Sequence, residues 1–140
     1  MNGRYFVDTN VFVYSFDPKS HGKAKLATRL IREALTTRKG VVSFQVVQEF
    51  LNVALRKFDP PFAIGDAEQY LATVFRPLLA VHSSPALYLS ALRVMSKYQI
   101  SWYDSVIVAG ANEASCEVLY SEDLQDGQKF DQVRVVNPFA

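Results

Sequence analysis

Four acids stand where a carboxylate is costly unless something uses it. Asp8 directly follows the apolar run Tyr5-Phe6-Val7, Glu49 lies in the first turns of a helical pattern, Asp104 lies near the start of another, and Asp123 comes just after the run ending at Tyr120. Carboxylates gathered within a few ångströms repel by roughly 4 kcal/mol per close pair at an effective dielectric of about 20. A domain of ordinary stability does not carry that load unneutralised, and a cation resolves it. An all-oxygen set with no paired His or Cys favours Mg2+ or Mn2+ over zinc, and such an ion can hold a phosphate and activate a water. Taken singly, each acid also has a plainer reading. Asp8-Thr9-Asn10 are residue types that cap a helix starting at Val11. Glu49 falls about 40° from Val53 on a helical wheel, at the margin of the apolar arc, as a surface residue would. Ser101-Trp102-Tyr103-Asp104 has the Ser-x-x-acid form of a capping box, and Ser121 to Gly127 is a turn-rich loop in which Glu122, Asp123 and Asp126 all have access to solvent.

These acids meet only if the intervening elements deliver them to one edge. Short runs rich in Val, Phe, Tyr and Leu at 4–7, 40–44, 78–82, 117–120 and 133–136 read as strands, several of them apolar at consecutive positions as strands covered on both faces are. Between them lie amphipathic helical patterns at 21–37 and 45–58, a third at 65–75 with Asp66 as its cap, a fourth opening at Ser84-Pro85 and running through Tyr98, and a fifth over 103–114. Pro60-Pro61 and Pro77 are breaks. Strand and helix in alternation imply the α/β class, with a parallel sheet of about five strands covered by helices on both faces. In such a sheet the C-terminal ends of the strands share one edge, so residues distant in sequence converge there.

The totals are consistent with one domain over residues 1–140, with nearly half of the residues hydrophobic and about a fifth charged. Apolar runs such as Val106 to Ala111 fall far short of the roughly 20 residues that span a bilayer, and the N-terminus lacks a signal-peptide pattern, so a cytoplasmic location and no membrane partner are expected. Cys116, the only cysteine, sits in an apolar setting and reads as a buried reduced thiol. Fifteen Lys and Arg against fourteen Asp and Glu leave little net charge, but the charges are segregated. Residues 19–39 hold Lys19, Lys23, Lys25, Arg29, Arg32, Arg38 and Lys39 against Glu33, whereas residues 113–131 hold six acids against Lys129. One segment is suited to phosphates and the other gathers carboxylates; both also suit solvated faces.

The spaced set of Asp8-Thr9-Asn10 after a hydrophobic strand, Gln48 to Asn52 on a helix, Ser101 to Ala109, and Leu119 to Leu124 resembles the PIN domain, especially the small single-domain ribonucleases of the VapC toxin type. The resemblance covers essentially the whole chain and implies a three-layer α/β/α sandwich. It implies a metal site of Asp8, Glu49, Asp104 and Asp123 for phosphodiester hydrolysis with one or two Mg2+ or Mn2+ ions. Asp123 belongs to the family's most variable motif; Glu122 competes with it and Asp126 stands in reserve. The resemblance further implies that Asn10 or Thr9 orients Asp8, that Ser121 supports the cluster, and that the substrate is single-stranded or looped RNA. Lys19, Lys23 and Lys25 are then expected at phosphates, and Tyr14, Phe16 or Trp102 at bases. It also implies a homodimer and a cognate antitoxin covering the metal edge, with residues 58–62 and the helix from Gly65 as interface surface. Rival readings are a catalytically silent PIN-like module that binds RNA or protein, an acid-base pair of His21 and His82, and an Asp-nucleophile phosphatase of the haloacid-dehalogenase sort. The last normally has Asp-x-Asp, where this sequence has Asn10.

Overall fold

A strand whose consecutive side chains are all apolar needs cover on both faces, and Tyr5-Phe6-Val7 receives it. The structure, a computed structural model, describes residues 2–140. In chain order the elements are β1 (Tyr5–Val7), α1 (Thr9–Tyr14), α2 (His21–Thr37), β2 (Gly40–Ser43), α3 (Phe44–Arg56), α4 (Ile64–Tyr70), a π-helical turn over Leu71–Phe75, α5 (Arg76–Leu78), β3 (Leu79–Val81), α6 (Pro85–Tyr98), α7 (Trp102–Glu113), β4 (Val118–Tyr120), β5 (Lys129–Phe130) and β6 (Val133–Val136).

The strands form one sheet in the order β3-β2-β1-β4-β6-β5. All neighbours run parallel except β5 and β6, which form a short antiparallel hairpin. The sequence reading of about five parallel strands is therefore short by β5. That strand has only two residues, and its turn places Asp131 at φ 56°, a left-handed conformation that Asp tolerates and that tight hairpins use. The helical pattern expected over 65–75 is also divided, into α4 and a π-helical turn. Asp66 lies inside the first turn of α4 rather than before it, and its Oδ2 accepts from the Ala63 N–H at 3.0 Å.

From β1 the chain moves one way along the sheet to β2 and β3, then returns to lay β4 on the other side of β1. The gap between β1 and β4 is thus the switch point of the sheet, where a crevice opens beyond the strand ends. Helix α1 packs against both α2 and α3, while α7 lies over β2, β4 and β6 with α6 against it. The buried core is contiguous, with Phe6, Phe12, Phe50, Phe75 and Leu119 fully enclosed, and Cys116 is buried as expected, its thiol pushed up to about 12 by that burial. Gly40 opens β2 where α2 and β1 converge. A Cβ there would collide with Ala34 and stand 3.0 Å from the Tyr5 ring, which is why no larger residue fits.

Candidate active site

Asp8 is the residue after β1, and its backbone N–H extends the ladder by donating to the Tyr120 carbonyl at 3.0 Å. Its carboxylate is only 4% exposed. Oδ1 accepts from the Thr9 N–H at 2.7 Å, so Asp8 caps α1, and Oδ2 accepts from the Ser121 hydroxyl at 2.8 Å. Burial pushes the carboxyl up to about 6, the two hydrogen bonds oppose that shift, and the charges of Asp123 and Glu49 add to it. Capping and a functional role therefore coexist at Asp8.

Ser121, fully buried just beyond β4, serves two acids: its Oγ donates to Asp8 and accepts from the Asp123 N–H at 3.2 Å. Asn10 Nδ2 donates to Asp123 Oδ1 at 2.9 Å, so the side chain expected to orient Asp8 orients Asp123. Thr9 acts twice, through its N–H on Asp8 and through its hydroxyl, which donates to Glu49 Oε2 at 3.3 Å.

On α3, Gln45 stands one turn before Glu49 and donates from Nε2 both to Glu49 Oε1 at 2.8 Å and to the Tyr103 carbonyl at 3.2 Å. It ties the α3 acid to the start of α7, which carries Asp104. Nothing in composition singled Gln45 out; the available signal was its i to i+4 spacing from Glu49. At α7 the Ser101 hydroxyl accepts from the Asp104 N–H at 3.2 Å, so the cap exists. The Asp104 carboxylate does not reach back to close the box, and it receives no hydrogen bond among the described residues.

Asp126 and Glu122 are turned to other tasks. Asp126 Oδ1 accepts from the Asn137 N–H at 2.8 Å. Glu122 accepts from the Tyr14 hydroxyl at 2.7 Å and from Lys23 Nζ at 3.1 Å, and Lys23 also lies 4.5 Å from the Tyr14 ring centroid. Lys23 and Tyr14 are thus occupied by an acid rather than presented to phosphates or bases, while Lys19 and Lys25 are exposed. Phe16 packs between Phe58 and Phe62, each ring centroid 5.3 Å away, and Trp102 leans on Tyr88. His21 and His82 line separate surfaces and form no acid-base pair.

Among the described residues, no three His, Cys, Asp or Glu side chains stand close enough to hold one ion as placed. Glu49 is held between Thr9 and Gln45, and Asp123 by Asn10. The donor chemistry nonetheless fits a hard divalent cation. The set is all oxygen, and the Asp8 carboxyl is raised by burial and by two neighbouring acids, which is the condition a cation relieves.

A family model described as the PIN domain matches residues 5–134. No curated protein matches the sequence. Among solved structures, a toxin–antitoxin complex from Klebsiella pneumoniae aligns with TM-score 0.67 at 14% identity, covering 96% of this chain and 97% of the other. FitAcB from Neisseria gonorrhoeae aligns with TM-score 0.65 at 20% identity, over 96% and 98% of the two chains. VapC20 of Mycobacterium tuberculosis, described as a sarcin–ricin loop cleaving toxin, aligns with TM-score 0.58 at 21% identity, over 89% and 91%. At these identities the likeness is one of fold, and the family model spans nearly the whole sequence: the chain belongs to the PIN domain family.

Proposed function

We propose that this chain is a Mg2+- or Mn2+-dependent endoribonuclease, the toxin of a toxin–antitoxin pair, working through Asp8, Glu49, Asp104 and Asp123. The observation that carries the reading is Asp8. A carboxylate sealed at the switch point, with two further acids close enough to raise its pKa, is destabilising for the fold and useful for binding a cation. A bound divalent cation supplies Lewis acidity to a phosphodiester and lowers the pKa of a water. The chain's own residues set the geometry. Thr9 and Ser121 hold both oxygens of Asp8, Asn10 and Ser121 place Asp123, and Gln45 keeps Glu49 beside the start of α7. Asp104, unengaged and partly exposed, is the acid free to meet the ion or the substrate.

The structural neighbour described as a toxin–antitoxin complex supports an antitoxin partner, and the one described as a sarcin–ricin loop cleaving toxin supports looped RNA as substrate. The cleft beside Phe16, Val53, Phe58 and Phe62 offers the antitoxin an apolar seat. Tyr88, Leu89, Leu92 and Met95 leave an apolar face of α6 in solvent that suits a homodimer. Among the described residues no helix is long and apolar enough to cross a membrane, and we place the protein in the cytoplasm.

The test is cleavage of RNA with Mg2+ or Mn2+ against an EDTA control, comparing wild type with Asp8→Asn and Asp104→Asn. Metal-dependent cleavage lost in both variants supports the assignment, and full-rate cleavage in both refutes it. The separation of the carboxylates favours one second reading, an RNA-binding module of the same fold. Tight RNA binding with no cleavage at any Mg2+ or Mn2+ concentration would establish that reading instead.

A further inference from the structure

The outward face of α2 carries a row of cations that neither the acid site nor the core uses. His21, Lys25, Arg29 and Arg32 recur at intervals of four, four and three residues, which confines them to an arc of about 80° on the helix. That arc is opposite the buried stripe of Ala27, Ile31 and Ala34, and all four side chains are exposed and line one shallow groove. The ion pairs among the described residues are Lys23–Glu122 and Lys97–Asp131, so Lys25, Arg29 and Arg32 have no acid partner there. Glu33, the one acid on this helix, pairs with none of them.

The row also has a direction. Lys23, in the first turn of α2, bonds Glu122, the residue before Asp123, so the helix starts at the rim of the acid site. From there α2 runs back along the sheet to enter β2 at its opposite end. His21 to Arg32 therefore leads away from the acids for about 16 Å, at 1.5 Å per residue.

We propose that this face of α2 is a track for the phosphate backbone of single-stranded RNA, holding the segment that flanks the bond presented to the acids. This deepens the ribonuclease reading and rests on it. A carboxylate cluster repels a polyanion, so the strand needs cations adjacent to the site as well as any ion within it. The row is one side chain wide, which matches one strand rather than the two rows of a duplex, and Arg29 and Arg32 present planar forks suited to phosphate oxygens. No aromatic side chain interleaves with the cations, so the track reads backbone and not base, and it is indifferent to sequence.

The experiment measures binding of an unstructured single-stranded RNA to Asp8→Asn protein in EDTA, as a function of salt, with and without the added substitutions Lys25→Gln, Arg29→Gln and Arg32→Gln. Loss of three phosphate contacts should flatten the slope of log K against log salt by about 2, at about 0.7 per contact. Affinity at low salt should fall more than tenfold, while Lys97→Gln, on another surface, leaves slope and affinity unchanged. Circular dichroism should show the same melting temperature for the triple variant, since all three side chains are exposed. An unchanged slope and affinity in the triple variant overturns the track. Wild-type protein that cleaves no RNA at any Mg2+ or Mn2+ concentration defeats the nuclease reading separately, because that result is read without reference to the α2 substitutions.

Discussion

Replacing Asp8 by Asn should make the metal-free protein more stable while destroying its activity. The Asp8 carboxyl titrates at about 6 instead of the usual 3.8, chiefly because burial strips its water. The folded state therefore holds the proton more tightly than the unfolded chain, and stability present below pH 4 is lost as pH rises through about 6. Between 3.8 and about 6 the difference corresponds to about 3 kcal/mol at neutral pH. Asn preserves the local contacts, since its Oδ1 can accept from the Thr9 N–H and its Nδ2 can donate to Ser121 Oγ. In EDTA at pH 7, thermal unfolding of Asp8→Asn should lie about 10 °C above wild type for a chain of this size. The gap should close as pH falls from about 6 to about 4. Added Mg2+ should raise the melting temperature of wild type but not of the variant, by mass action on the folded state. A variant no more stable than wild type at pH 7, or a gap that is equal at pH 4 and pH 7, would refute the claim that Asp8 is held at a cost to the fold.

Three further outcomes follow from the same contacts. Ser121→Ala leaves one buried oxygen of Asp8 and the Asp123 N–H without their partner, so urea unfolding should show a loss of about 1–3 kcal/mol, with cleavage reduced as well. Gln45→Met removes the donor that holds Glu49 beside Tyr103, and also a buried Oε1 that has no partner. Its Mg2+ affinity, read by calorimetry, should weaken while its melting temperature in EDTA changes little. Gly40→Ala forces a methyl against Ala34 and the Tyr5 ring, and chemical denaturation should register about 1–3 kcal/mol of destabilisation with no change in metal affinity.

Where each acid sits relative to its strand or helix was legible in the sequence, because a buried strand that stops at a carboxylate leaves few other readings. Asp8 follows that rule directly, Asp123 comes three residues after β4, and the sheet order brings the two strand ends side by side. The partners of those acids were much less legible. Asn10 is two residues from Asp8, yet its amide crosses to Asp123, since α1 turns the side chain toward the loop beyond β4. Lys23 looked free for phosphates because its counter-charge, Glu122, is 99 residues away. Sequence periodicity also missed β5, where two residues are too few to show a pattern, and it ran through the π-helical turn after Tyr70, where apolar spacing continues although the helix changes pitch.

The contact of Lys23 with Glu122 has a consequence in time. A ribosome releases Asp8, Tyr14 and Lys23 long before Ser121, Glu122 and Phe139 have been joined to the chain. Phe139 packs edge-on against Tyr14 at 4.9 Å, and β4, which carries Ser121 to Asp8, is itself paired with β6. Until those late segments arrive, Asp8 lacks the Ser121 hydroxyl and Lys23 lacks its acid. A protein proposed to cut RNA therefore completes the pairing of Asp8 with Ser121 only after its late segments have been made.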